Sequence, residues 1–338
     1  MSELHPKKRL QLHLKIKHIV VPLSHNLSLP MSTYLRLGLC CLNTQLRKQR
    51  PPIFSSRTCS RRTFPIELAM ERALTNCRDL LLMIEWNHQH RIECFRLSSQ
   101  IFPHYTDPMT ARYSMEFAIP ILAQVGQLIS QLGHRVLMHP GQFDQIGAIR
   151  PSVWDQTVAD LSMHAEILDA VGMNDDGIII VHGGGVYGSK QETITRWIEH
   201  FHQLPRSVQR RLAIENCERQ YSVSDCLEIA QACHIPMVLD FHHYTCWNQL
   251  HTLEQQPPLE HLIPSILSTW KNRRIIMHLS QQSPGKRVGA HDELVDQIPT
   301  IVYEIIRRYH CPIDLEIEAK GKEQAILYLY QNEKLLSF

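Results

Sequence analysis

The sequence lacks several features that would place it quickly in a familiar class of protein. None of its ten cysteines forms a C-x-x-C pair, which argues against a zinc ribbon or a thioredoxin-like motif and favours reduced structural thiols. The longest apolar runs fall far short of the ~20 residues that span a bilayer. Basic residues and histidines interrupt the apolar residues of the N-terminus, so it is a poor signal peptide. We therefore expect a cytoplasmic protein that does not bind membranes.

The usual phosphate-binding fingerprints of nucleotide cofactors are also missing. No G-x-G-x-x-G follows the first predicted strand. The glycine-rich segment 183–190 does follow a strand, but Ser189 stands where a P-loop requires lysine. We expect no nucleotide cofactor, and these glycines instead suit a backbone that approaches a metal site or a phosphate.

Acidic residues are nearly absent from the first 62 residues. This segment holds 12 Lys and Arg but only one acid, Glu3, for a net charge of +11. The rest of the chain holds 23 basic and 32 acidic residues, a net charge of −9, so the 338 residues together sum to only +2. A basic arm on an acidic body indicates contact with a polyanion and chemistry that needs carboxylates.

From residue 34 onward, short apolar or β-branched runs alternate with longer helical patterns. Helices are predicted over 66–86, 152–171, 222–233 and 294–309. Strands are predicted over 35–39, 93–98, 134–139, 178–183, 212–216, 236–240, 274–279 and 313–319. This alternation predicts an α/β fold of the (β/α)8 TIM-barrel type, with a doubly wound open sheet as the alternative. We expect the barrel over 34–330, a basic and disordered extension over 1–33 and a tail over 331–338.

Side chains suited to metal ligation follow six consecutive predicted strands, at the end where barrel enzymes carry their active sites. They are His139, His182, Glu215, Asp240, His242, His243, His278, His291 and Glu318. Converging carboxylates repel one another unless cations neutralise them. Mixed imidazole and carboxylate sets are typical of Zn²⁺ or Mn²⁺ sites. The pattern therefore predicts two or three divalent ions on this rim.

The last predicted strand carries three acids on one face. Asp314, Glu316 and Glu318 alternate with Leu315 and Ile317, so the acids point into the barrel if the apolar face meets the helices. Glu318, nearest the rim, is the candidate ligand, whereas Glu316 lies a layer deeper and suits a structural hydrogen-bonding role.

Nine segments, in order and at compatible spacings, resemble the UV damage endonuclease family between about Leu35 and Gln324. They read RLGLCCLN, FRLSSQIFPHYTDP, MHPGQF, HGGGVYG, AIENCER, VLDFHHY, MHLSQQ, GAHDE and EAKGKE. The resemblance implies a TIM barrel with a cluster of Mn²⁺ ions, for which Zn²⁺ or Mg²⁺ are the alternatives. It also implies a partner, double-stranded DNA with UV lesions. We expect the protein to act as a monomer.

Carried over by motif, the implied metal ligands are His139, His182, Glu215, Asp240, His243, His278, His291 and Glu318. Two positions depart from the family pattern. Asp107 stands where the family usually has a histidine ligand, and we include it as a ligand, with His104 nearby as a substitute. Ile276 stands where the family typically has a lysine near the metals, which predicts weaker metal binding or a reshaped cluster.

The resemblance also implies residues that contact the lesion and the DNA backbone. Asn43 and Gln142 match the family, Phe143 preserves an aromatic residue, and Leu39 replaces a tyrosine, which makes the wedge more apolar. The basic residues Arg57, Arg61, Arg62 and Lys322 are expected to hold the phosphate backbone without reading sequence. We assign the catalytic steps to Glu215, His242 and Lys320.

The predicted function is ATP-independent nicking of DNA 5′ to UV photoproducts by metal-activated water. A sugar isomerase of the xylose-isomerase type uses similar ligands but would lack the basic N-terminal third. An abasic-site endonuclease of the endonuclease IV type would ignore photoproducts. A DNA-binding protein without nuclease activity is a further alternative, because Asp107 and Ile276 alter the cluster.

Overall fold

Eight parallel strands close into a barrel in the computed structural model, which describes residues 30–333. The strands are β1 (Leu35–Cys40), β2 (Cys94–Leu97), β3 (Arg135–Met138), β4 (Ile179–His182), β5 (Leu212–Glu215), β6 (Met237–Asp240), β7 (Ile275–Leu279) and β8 (Ile313–Ile317). Each strand pairs with the next along the chain, and β8 closes the barrel against β1. The TIM barrel is therefore confirmed, the open sheet is excluded, and each predicted strand end lies within two residues of the observed one.

Helices connect the strands and cover the outside of the barrel. They are α1 (Met31–Tyr34), α2 (Thr44–Arg47), α3 (Ile66–Gln89), α4 (Ile119–Leu132), α5 (Pro151–Ala170), α6 (Lys190–Phe201), α7 (Arg206–Gln209), α8 (Val223–Cys233), α9 (Phe241–Leu250), α10 (Leu259–Thr269), α11 (Thr300–Tyr309) and α12 (Glu323–Asn332). Among the described residues, no helix is both long enough and apolar enough to cross a membrane. Residues 1–29 of the expected extension and 334–338 of the expected tail lie outside the described part of the chain.

Local signals explain where two of the helices begin. Ser222 caps α8, because its hydroxyl accepts from Asp225 N while the Asp225 carboxylate accepts from Ser222 N. Helix α11 begins at Thr300 rather than at the predicted residue 294. Extended Pro299 precedes it, and side-chain acceptors satisfy backbone donors of the preceding segment, so that segment needs no helical hydrogen bonds.

Charged residues occupy the barrel interior in two layers along β8. Near the amino-terminal end, fully buried Asp314 contacts Arg36 at 2.7 Å and Arg135 at 3.0 Å. One layer higher, Glu316 contacts His278 at 3.0 Å. The alternate residues Leu315 and Ile317 are fully buried in the apolar core, where each such side chain contributes about 1.5–3 kcal/mol. The strand thus turns its acids inward, as its alternation predicts.

Candidate metal centre

Glu215, at the end of β5, lies at the centre of the polar cluster on the carboxyl-terminal rim. It is fully buried, and each of its carboxylate oxygens faces two imidazoles. Oε2 lies 2.9 Å from His139 Nε2 and 3.8 Å from His182 Nε2. Oε1 lies 3.0 Å from His278 Nδ1 and 3.4 Å from His243 Nδ1. This two-sided arrangement suits a carboxylate that bridges two cations.

Three overlapping groups of side chains each place three ligand atoms within 4.8 Å of one another. They are His139, His182 and Glu215; Glu215, Asp240 and His243; and Asp240, His278 and Glu318. Glu215 belongs to the first two groups and Asp240 to the last two, so the groups form a continuous chain of sites. Seven of the nine predicted ligands are brought together in this way.

Local hydrogen bonds orient several of these ligands. Asp240 is the N-cap of α9, and its Oδ1 accepts from His243 N at 2.7 Å, which leaves Oδ2 turned to the cluster. His139 Nδ1 lies 3.1 Å from the carbonyl oxygen of Pro140 and Nε2 lies 2.9 Å from Glu215 Oε2, so both ring nitrogens face acceptors. With the proton on Nδ1, Nε2 would serve as a ligand once a cation replaces its contact with Glu215.

Several buried polar atoms in this cluster lack a hydrogen-bond partner. They include Glu215 Oε1, Asp240 Oδ2 and His278 Nδ1, all in fully buried residues. Glu215 Oε1 and His278 Nδ1 approach to 3.0 Å without the alignment of a hydrogen bond. Such atoms are costly to bury unless another group satisfies them. Divalent cations would satisfy them, and the imidazole and carboxylate donors are those that Zn²⁺ and Mn²⁺ accept. The residues present therefore fit a cluster of divalent metal ions.

Electrostatics within the cluster point the same way. Burial acts to raise the pKa of Glu215, but His278, His182 and His139 hold that pKa well below its usual range. Burial acts to lower the pKa of His278, yet Glu215 and other partners raise it to about 10. Without cations, a proton on His278 thus balances the carboxylates. Because metal ligation requires the neutral imidazole, ion binding would release that proton.

Arg96 on β2 is a buried cation that sequence reasoning missed. One of its terminal nitrogens lies 2.6 Å from both Glu316 and Glu318 and 3.1 Å from His278 Nε2. With burial opposing it, Arg96 is the largest of the charges that lower the pKa of Glu318. The available signal was an arginine in an otherwise apolar strand, CFRL, which must find a carboxylate inside the barrel.

Three predicted residues, His242, His291 and Lys320, lie at the edge of the cluster, outside the three ligand groups. The His291 ring centroid lies 5.6 Å from that of His242 and 6.4 Å from that of His243. His291, Lys320 and Lys322 line a cavity of about 190 Å³ together with Arg96 and Glu318. The cavity places these predicted residues beside Glu318 of the candidate ligand groups, with Lys320 exposed to solvent.

Asp107 is held by a different partner from the one expected of a metal ligand. Its carboxylate forms a two-point ion pair with Arg61, whose Nη2 lies 2.9 Å from Oδ1, and His104 Nδ1 is 4.0 Å away. Asp107 belongs to none of the three ligand groups found among residues 30–333. In this conformation the ion pair joins the loop that carries Arg57, Arg61 and Arg62 to the segment after β2.

The predicted DNA-contacting residues divide into exposed and buried sets. Phe143 is 80% exposed, and Gln142 is also exposed. Leu39 is fully buried in β1, and Asn43 is fully buried as the N-cap of α2. Arg57 forms an ion pair with Asp79 at 2.7 Å and donates to nearby carbonyls. This conformation therefore offers Gln142 and Phe143 to DNA, together with the exposed Arg61 and Arg62, but neither Leu39 nor Asn43.

Comparison with known proteins gives a consistent result. The family model described as UV-endonuclease UvdE matches residues 35–338. A protein of Acanthamoeba polyphaga mimivirus, named as a UV-damage endonuclease, is 34% identical over 306 residues, which cover 88% of this chain and 90% of that protein. The UV-damage endonuclease of Schizosaccharomyces pombe is 36% identical over 315 residues, covering 89% of this chain but 51% of its own length. The crystal structure of SacUVDE superposes with a TM-score of 0.76 at 28% identity, covering 88% of this chain and 97% of that one.

Proposed function

This chain belongs to the UV-endonuclease UvdE family, and on that premise we propose that it nicks double-stranded DNA 5′ to UV photoproducts in a reaction that requires divalent metal ions. Membership in the family makes it an endonuclease of UV-damage repair. The observation that carries the metal requirement is the position of Glu215, whose two oxygens each face two imidazoles in a fully buried cluster.

In this proposal the residues of the three groups hold two or three ions, with Mn²⁺ as the preferred metal and Zn²⁺ or Mg²⁺ as alternatives. Bound divalent ions lower the pKa of water toward neutrality and polarise phosphate oxygens. Because Glu215 and Asp240 each belong to two groups, each would contribute to two neighbouring ion sites. Arg96 keeps the Glu318 carboxylate in place and ionised at the inner end of the cluster.

Water attacks the phosphorus, the bond to the 3′ oxygen breaks, and the products carry a 3′ hydroxyl and a 5′ phosphate. His242 is the proposed proton acceptor because its ring lies at the edge of the cluster, 5.6 Å from that of His291. Burial and the nearby His291 lower its pKa to about 4, which keeps the imidazole neutral at pH 7 and also makes it a weak base. Lys320 on the adjacent rim suits a contact with the charged phosphate, since a lysine there offers three donors.

Recognition of the lesion is proposed to depend on duplex deformation rather than on sequence. Photoproducts stack and pair poorly, so extruding them costs less than extruding intact bases. Phe143, with Gln142 beside it, would enter the gap that extrusion leaves. The exposed Arg61 and Arg62 would hold the phosphate backbone.

The test is a nicking assay on supercoiled plasmid that is untreated, depurinated or UV-irradiated, each with Mn²⁺ and with or without a chelator. We expect conversion to open circles only for the irradiated plasmid and only without chelator. A duplex with one dimer, labelled at its 5′ end, then locates the cut. Nicking in chelator would contradict the metal requirement, a cut on the 3′ side would contradict the polarity, and preference for depurinated plasmid would favour the abasic-site alternative.

A further inference from the structure

An exposed turn carries the side chains proposed to enter the duplex. Asp144 N donates to Gly141 O at 3.1 Å, which closes a four-residue turn with Gln142 and Phe143 at its centre. We call residues 141–144 the wedge turn. It begins two residues after the candidate ligand His139, so its position relative to the metal centre is set by a short connection. An aromatic ring that is 80% exposed needs such support if it is to meet DNA in one place.

The side chain of Gln145 links the wedge turn to the glycine-rich loop after β4. Its Nε2 donates to Gln142 O at 2.7 Å. Its Oε1 accepts from Gly185 N at 2.5 Å and from the Tyr187 hydroxyl at 3.2 Å. A single amide therefore uses both of its ends to join the two loops that leave β3 and β4.

The glycine-rich loop is shaped to receive this amide. Gly184 has a φ of +88°, and a Cβ there would lie 2.6 Å from Gln145 Oε1. A Cβ on Gly183 would lie 2.3 Å from the ring of Tyr221, so backbone packs directly on that ring. The loop follows the candidate ligand His182, whose ring centroid lies 5.0 Å from that of His139. Gln145 thus ties the wedge turn to a second segment that is itself anchored at the metal centre.

The inner side of the wedge turn is also fixed. Gln145 N donates to Thr157 Oγ1 at 2.9 Å, and Thr157 is fully buried in α5. Burial, together with the neighbouring Asp160, raises the pKa of Asp144 to about 9, so its carboxyl group is protonated at neutral pH and hydrogen-bonds to Asp160. Backbone and carboxyl contacts below therefore complement the amide contacts to the glycine-rich loop.

We propose that Gln145 is a positioning residue for lesion recognition, because its side-chain amide holds the wedge turn against the glycine-rich loop and sets where Phe143 meets the duplex. This inference rests on the proposed function, in which Phe143 enters the DNA. Gln145 itself needs no contact with the reacting atoms.

Two substitutions separate the contacts of this amide. Gln145→Glu keeps an oxygen for Gly185 N and Tyr187 but loses the donor to Gln142 O and sets a carboxylate oxygen against that carbonyl. Gln145→Met keeps the side-chain length and removes all three side-chain hydrogen bonds. Gln209→Glu is the matched control, because Gln209 Nε2 also donates to a backbone carbonyl, Leu204 O at 2.8 Å, and lies in α7 just before β5, at the end of the barrel opposite the wedge turn.

Single-turnover nicking of a duplex with one pyrimidine dimer, over a range of enzyme concentrations, separates half-saturation from maximal rate. We expect Gln145→Glu to raise the half-saturating concentration about fivefold, the effect of one lost neutral hydrogen bond. Gln145→Met should raise it further, whereas Gln209→Glu should not change it. Melting temperatures should stay close to that of the unchanged chain, since neither Gln145 nor Gln209 belongs to the apolar core.

The same variants in a Phe143→Ala background test whether Gln145 acts through the ring of Phe143. If Gln145 acts through Phe143, Gln145→Glu should have little further effect once the ring is gone. An equal effect in both backgrounds, or none in either, would overturn the positioning role. If Phe143→Ala alone leaves lesion nicking unchanged, it is the proposed wedge function that fails, and the two failures are thereby told apart.

Discussion

Replacing Glu215 by Gln should abolish nearly all nicking while leaving the fold intact. The substitution keeps the shape of the side chain but removes the charge that faces four imidazoles at 2.9–3.8 Å. An amide can offer only one oxygen, so it cannot bridge two cations as the carboxylate can. Because Glu215 belongs to two ligand groups, its loss alters both candidate ion sites. We expect kcat/KM to fall by about 10² to 10⁴-fold, which corresponds to about 3–5 kcal/mol of lost transition-state stabilisation.

The assay is conversion of UV-irradiated supercoiled plasmid to open circles across a Mn²⁺ titration. Glu218→Gln is the matched control, because Glu218 follows the same strand but belongs to none of the three ligand groups found in residues 30–333. The control should nick at close to the rate of the unchanged chain. Both variants should keep their binding of irradiated duplex in a gel-shift assay, which shows that they are folded. Near-normal nicking by Glu215→Gln, or an unchanged Mn²⁺ titration, would refute the bridging role.

Three further predictions concern buried charges. Burial beside Asp160 raises the pKa of Asp144 to about 9, so the folded protein loses stability as pH rises from about 4 to 9. Asp144→Asn should therefore raise the melting temperature at pH 8.5 but hardly change it at pH 4. Burial lowers the pKa of His134 to about 4, so the folded protein loses stability as pH falls from 6.5 to 4. His134→Phe should restore up to about 3 kcal/mol of the free energy of unfolding at pH 4, measured by urea unfolding. Arg96→Met leaves Glu316 and Glu318 without their cation, so Mn²⁺ should raise its melting temperature more than that of the unchanged chain; an equal rise would contradict this account.

The barrel and the rim residues could be predicted from sequence because both depend on short-range periodicity. Apolar runs mark the strands, and in a barrel every strand ends on the same rim, so His139, His182 and Glu215 had to converge whatever the loops did. The alternation of Asp314 and Glu316 likewise fixed which face of β8 points inward. These inferences require no knowledge of which loop packs on which.

Pairings between distant segments could not be predicted in the same way. Arg96 and Glu316 are 220 residues apart, and only closure of the barrel brings them together. The departure of Asp107 from the family pattern suggested an altered metal ligand, yet its partner is Arg61, 46 residues earlier. Asn43 matched a lesion-contacting position, but in this conformation it caps α2 through Leu46 N. In each case the chemistry of one residue allowed several partners; barrel closure selected the partner of Arg96, and loop conformation selected those of Asp107 and Asn43.

The ion pairs of the charged residues explain the uneven distribution of charge along the chain. Many acids of the body are inside: Glu215, Asp240 and Glu318 face the metal groups, while Asp314 is neutralised by arginines at the opposite end of the barrel. Those acids contribute little to the field outside. Some basic residues are equally occupied, since Arg36 and Arg57 are tied to buried or half-buried carboxylates. The exposed remainder is Arg47, Lys48, Arg50 and Arg62, together with Arg61, which is exposed although it pairs with Asp107. All five lie on the single segment between β1 and α3. That segment leaves the carboxyl-terminal end of β1, so these cations are on the same side of the barrel as the candidate metal ligands, where the proposed nuclease would meet the DNA backbone.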